Sequence, residues 1–148
     1  MPKLRAQGFT LIELLVVIGI LAVLLAITLV AINPARQFAQ TNDTKRSADV
    51  NTILNAVGQF TVDNAGQIPG AITTSATEIS STGVDICDEL VPTYIAALPV
   101  DPLTGDGQHV TDCTAAYNTG YTIMQGDGGR ITVFAPDAEV AASISATR

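Results

Sequence analysis

Positive charge is scarce in this chain. Seven Lys and Arg stand against 14 Asp and Glu, for a net charge of −7. That balance argues against broad electrostatic binding of nucleic acid, which needs Lys and Arg to displace counterions. Histidine is scarcer still: His109 is the only one, set in a Gly- and Asp-rich stretch with no matched nucleophile motif. Catalysis needs a constellation of groups, so an enzyme is not expected. Walker loops, dinucleotide fingerprints and zinc patterns are missing as well. Two cysteines allow at most one internal disulfide. The 148 residues suffice for one modest domain plus a membrane helix.

What is present is concentrated at the N-terminus. A polar leader, Met1 to Gly8, carries Lys3 and Arg5, and Phe9-Thr10-Leu11-Ile12-Glu13 opens a long apolar run. From Leu14 to Ile32, 19 residues pass without a charge. A run of that length crosses a bilayer core as one helix. An ordinary secretory signal has a shorter apolar core, about 7–15 residues, with its cleavage site after that core. A plain signal anchor accounts for the charge and the hydrophobicity, but not for Glu13 beside the run. An ionisable group at that place is costly and points to function. The leader's basic residues put it in the cytoplasm and the acidic remainder outside.

Gly8-Phe9-Thr10-Leu11-Ile12-Glu13-Leu14 resembles the prepilin processing motif of type IV pilins and type II secretion pseudopilins. The resemblance implies that a membrane-embedded prepilin peptidase cuts between Gly8 and Phe9 and N-methylates Phe9. It also implies that Glu13 is the filament-assembly glutamate, its partner being the methylated amino terminus of an adjacent subunit. Loss of Met1–Gly8 removes Lys3 and Arg5, which takes the side-chain charge from −7 to −9. The implied partners are other copies of the chain in a homo-polymer, the peptidase, the inner-membrane pilus or secretion assembly machinery, and membrane lipid before assembly. No direct nucleic-acid partner is expected. The implied location is a single-pass cytoplasmic membrane protein with an external C-terminal domain, later part of a cell-surface filament.

Four segments follow: a cleaved leader at 1–8, a transmembrane and assembly helix at 9–33, its amphipathic extension at 34–64, and a loop and small-sheet ectodomain at 65–148. Pro34 removes one backbone hydrogen bond, which predicts a kink or a local break in the helix. The family often carries a proline in this helix, and here it stands a few residues later. Val50, Ile53, Leu54, Val57 and Phe60, with Ala56, recur at helical spacing, while Asp43, Lys45, Arg46, Asp49 and Asn51 read as polar surface. Asn64, Gly66 and Pro69 stop the helix. Ile68 to Asp85 is rich in Ser, Thr, Gly and Ala and reads as a solvated loop. The glycosylation triplet Asn42-Asp43-Thr44 lies on the helix instead. Asp85 to Leu98 gives a short helix or turn, then a short extended piece. Leu98-Pro99-Val100-Asp101-Pro102 is a rigid turn by its prolines, and it resembles a turn seen in many pseudopilins and related pilins.

Tyr121–Met124 and Arg130–Phe134 flank a Gly- and Asp-rich connection, which is a hairpin signal. Asp137 to Arg148 reads as a short helix or a loose tail. The expected fold is α+β: a long N-terminal helix, half transmembrane and half amphipathic, packed on a small antiparallel sheet, as in type IV pilins. In an external domain the even count favours a Cys87–Cys113 disulfide over two buried thiols. Asp101, Asp106, Asp112 and Asp127 offer the oxygen ligands calcium takes. Major pseudopilins hold calcium near the C-terminal end, yet the spacing fits no EF-hand loop, and solvated turn aspartates remain the alternative; no cofactor is required. The leading expectation is a type IV pilus subunit serving adhesion, motility or DNA uptake. A major-type pseudopilin and a membrane-anchored binding module that never polymerises are the alternatives.

Overall fold

A computed structural model describes residues 8–148; Lys3 and Arg5 of the leader lie outside the described residues. Two helices, α1 (Leu11–Ile32) and α2 (Pro34–Asp63), precede strand β1 (Thr77–Ser80) and the one-turn helix α3 (Cys87–Leu90). Strands β2 (Asn118–Gln125), β3 (Ile131–Ala135) and β4 (Ile144–Thr147) complete the order. The chain divides into two units between Phe38 and Ala39, inside α2.

In the second unit the four strands form one antiparallel sheet in chain order, β1-β2-β3-β4. The hairpin expected from the sequence is β2–β3, with Ile123 opposite Val133 and Gln125 opposite Ile131. Side chains alternate across a strand. Ile131, Val133 and Ala135 are therefore buried while Thr132 and Phe134 lie between them toward solvent. The buried face meets the stripe of α2: Val50, Ile53, Leu54, Ala56 and Val57 join Ile79, Tyr121, Ile123, Ile131 and Val133 in one core. Phe60, at the end of the stripe, is half-buried and packs edge-on against Tyr94, with ring centroids 5.7 Å apart.

The end of α2 is set by a left-handed turn. Ala65 has φ 56° and Gly66 φ 89°. The Gly66 N–H donates to the Thr61 carbonyl at 2.8 Å, which satisfies one of the carbonyls that a helix end otherwise orphans.

Two sequence expectations are corrected here. The stretch 68–85 is not all loop, because Thr77–Ser80 pairs with β2 as an edge strand. The tail is neither helix nor loose: Ile144–Thr147 pairs with β3, with Ala146 opposite Val133 and Ile144 opposite Ala135. Both strands have four residues, too short for their alternation to stand out, and pairing with a central strand decides them.

Candidate functional site

The N-terminal unit is built around a helix start. Thr10 has extended backbone, φ −80° and ψ 154°, and α1 begins at Leu11. The Thr10 Oγ1 accepts from the Glu13 N–H at 3.3 Å. In return the Glu13 carboxylate accepts from the Thr10 N–H at 2.8 Å and from the Thr10 hydroxyl at 2.7 Å. This is a reciprocal capping box, which satisfies two donors that a helix N-terminus leaves without partners. Gly8 and Phe9 precede it outside the helix, and Phe9 is exposed.

Beyond the cap, α1 is apolar on every side. It has 22 residues, a mean hydropathy of 3.2 over its most apolar window, and no buried residue. At 1.5 Å per residue it is about 33 Å long, enough for a hydrocarbon core of about 30 Å. Thr28, its polar residue near the far end, donates its hydroxyl to the Leu25 carbonyl and so is paired within the helix. Glu13 is the one ionisable side chain of the helix.

Residues 3–29 match the family of the prokaryotic N-terminal methylation motif. The chain carries a prepilin signature. That is the mark of type IV pilin and pseudopilin precursors, and it implies processing by a prepilin peptidase and assembly into a multi-subunit filament. No curated protein and no solved structure matches the chain. The α+β arrangement of an apolar N-terminal helix, a second helix and a four-stranded antiparallel sheet is pilin-like.

Beyond the matched motif, Pro34 stands at a break rather than inside a bent helix. α1 ends at Asn33, which adopts φ 47° and ψ 78°, and Pro34 is the first residue of α2. Proline suits a first helical position, because its missing N–H would have had no partner there. Asn33 caps the new helix: its carbonyl accepts from the Arg36 and Gln37 N–H groups at 3.1 and 3.4 Å, and its side-chain oxygen also accepts from Arg36.

In the second unit the cysteines form the expected disulfide, Cys87–Cys113, with Cα atoms 5.4 Å apart. The four aspartates considered for calcium do not converge: among the described residues no group of three His, Cys, Asp or Glu is placed to hold a metal. Asp112 accepts from the hydroxyl and N–H of Thr114, and these bonds, the hydroxyl first, lower its pKa. Asp106 and Asp127 lie in short 3-10 turns and are exposed.

Asp101 has a different role, and it corrects the reading of Asp43, Arg46 and Asp49 as polar surface. All four are buried, Arg46 completely. The Arg46 guanidinium donates from Nε and Nη2 to the two Asp101 oxygens at 2.6 and 3.2 Å. Its Nη1 donates to Asp43 and to Glu139, both at 2.9 Å. Three carboxylates around one cation leave an excess of negative charge, and further donors take it up. Asp43 accepts the backbone N–H groups of Glu139, Val140 and Ala141, and Asn42 donates to Glu139. Those backbone bonds, Glu139 first, hold the Asp43 carboxyl far below the usual carboxylate range. The bond to Asp101 raises the Arg46 pKa despite burial. Next along α2, Asp49 accepts from the Tyr121 hydroxyl at 2.8 Å. Burial first, and Asp49 second, push that phenol upward.

The network ties α2 to two otherwise irregular segments. One is the Leu98–Pro102 turn, where the Asp101 N–H also donates to the Thr119 carbonyl and the Lys45 ammonium donates to the Val100 carbonyl. Gly120, at φ 75°, makes room for that turn. A Cβ there would stand 2.9 Å from the Asp101 Cβ and 2.7 Å from the Thr104 hydroxyl. The other is the 139–141 turn that leads into β4. The rigid turn read from the prolines is therefore also an electrostatic anchor.

Proposed function

We infer that the mature chain is a structural rather than catalytic subunit that polymerises through α1 into a type IV pilus filament. The observation that carries this is the helix itself: 22 residues, apolar but for Glu13 and Thr28, none buried by the chain's own fold. Such a surface is stable in lipid, and then among neighbouring helices that replace lipid around the same side chains. Glu13 fits a role in setting axial register against the amino terminus of a neighbour. The disulfide agrees with an oxidising compartment and hence with an external C-terminal domain. The acidic balance speaks against direct DNA contact by this subunit. In this reading Glu13→Ala filaments form at a small fraction of the normal yield. Normal yield would remove the register role.

A second reading, a major-type pseudopilin of a short secretion pseudopilus, is supported by Leu98–Pro102, whose Asp101 is built into the domain's buried network. Intact-mass and N-terminal mass spectrometry separates the readings, on material sheared from the cell surface with the membrane fraction alongside. Methylated Phe9 at the start of the sheared chain supports the exposed pilus. The same mature chain confined to membranes supports the pseudopilus. A chain still beginning at Met1 in both fractions would leave a membrane-anchored module that does not polymerise.

A further inference from the structure

The motif assigns roles to Gly8, Phe9 and Glu13 and leaves Thr10 without one, although Thr10 is the other half of all three capping bonds of Glu13. Its hydroxyl and N–H both donate to Glu13, and its Oγ1 accepts from the first turn of α1. Its own backbone is extended, so the helix begins one residue later and the Gly8–Phe9 peptide bond stays outside it.

We propose that Thr10 is a positioning residue for cleavage: its capping box fixes the helix start so that the Gly8–Phe9 bond is presented to the peptidase in non-helical form. This inference rests on the processing role given above.

The physical argument concerns what an apolar helix does without a cap. Inside or at the edge of a bilayer, an unpartnered backbone N–H is costly, and the chain's own remedy is another helical turn. An uncapped α1 would recruit Thr10, Phe9 and Gly8 into the helix. Peptide recognition by main-chain hydrogen bonds needs extended backbone, and a bond inside a helical ladder has those groups already engaged. Thr10 prevents this by supplying the acceptor that a further turn would supply. The Thr10 side chain also keeps the Glu13 carboxylate on the scissile side of the helix, bonded to the N–H of the residue directly after Phe9. Cleavage after Gly8 leaves every atom of the box in the mature chain, so the cap persists while a new charged amine appears one residue before it.

The test is a cleavage time course on full-length precursor in membranes with a prepilin peptidase, scored per membrane-inserted chain. It compares wild type, Thr10→Val and Thr10→Ser. Valine keeps the shape and removes the hydroxyl, and serine restores it. The expected result is cleavage of Thr10→Val slowed roughly fivefold or more, the factor that loss of a typical cap corresponds to, with Thr10→Ser close to wild type. Rescue by serine is what a mere loss of side-chain bulk would not give. Thr10→Val cleaved at the wild-type rate, or Thr10→Ser as slow as Thr10→Val, would overturn the proposal. Wild type left uncut would instead overturn the processing role on which it rests.

Discussion

α1 and the α2–sheet domain solve opposite problems with the same chain. α1 has no buried residue, and its side chains make polar contacts only with their own helix and its cap, at the start and at Thr28. The domain encloses a whole arginine and leaves no buried side-chain nitrogen or oxygen without a partner among the described residues. One segment finds no cover for its apolar side chains within the described fold; the other supplies a partner for every nitrogen of its buried guanidinium. A helix with uniform apolar sides is not an unfinished core. It is a surface that the described fold leaves uncovered.

The sharpest way to break this contrast is at Arg46. Arg46→Ala strands Asp101 and Asp43 in the interior, and loss of one partner of a buried pair typically costs about 3–5 kcal/mol. A urea titration of the detergent-solubilised protein should show that loss, while membrane insertion through α1 stays unchanged. If insertion and domain stability fell together, the two units would not be independent. Removal of the disulfide by Cys87→Ser with Cys113→Ser comes next. A loop of 26 residues predicts a loss of about 3.5 kcal/mol by the chain-entropy account, measurable by the same titration with and without reductant.

Titration then separates the units by pH. The Asp43 carboxyl is depressed in the folded domain. Its contribution is therefore complete above the unfolded carboxylate value of about 3.9 and is lost as pH falls below it. The Tyr121 phenol is raised, so its contribution is complete below the unfolded value of about 10 and declines as pH rises past it. Thermal melts of the domain should hold a plateau between these limits. Asp43→Asn should flatten the acid shoulder, and Tyr121→Phe the alkaline one; shoulders unchanged in these variants would assign them to other groups. The smallest expected effect is a gain. Ala65 occupies the left-handed position that ends α2, where glycine is favoured. Ala65→Gly should raise stability by about 0.5–1 kcal/mol, seen as a higher melting midpoint, with no change in prepilin cleavage.

The N-terminal site was legible because its chemistry is local: leader charge, Gly8-Phe9, Glu13 and the apolar run lie within a few turns of one another. The stripe of α2 and the β2–β3 hairpin were legible by periodicity. The Arg46 network was not, since Asp101 and Glu139 are 55 and 93 residues away along the chain. One signal was nevertheless present. Asp43 and Arg46 continue the spacing of Val50, Ile53, Val57 and Phe60 at intervals of three and four, so they stand on the core face rather than beside it. Charged residues on a buried stripe call for partners. The two four-residue strands lacked even that signal, because an edge strand is specified mainly by the strand it joins.

The enclosure of Arg46 has a consequence for where such a domain can work. Dissolved ions weaken attraction between charges that face water, over distances near 10 Å at 0.1 M. Arg46 is 0% exposed and Asp101 1%, so mobile counterions cannot enter between them. The anchor between α2 and the Leu98–Pro102 turn should therefore hold equally in dilute and in concentrated salt.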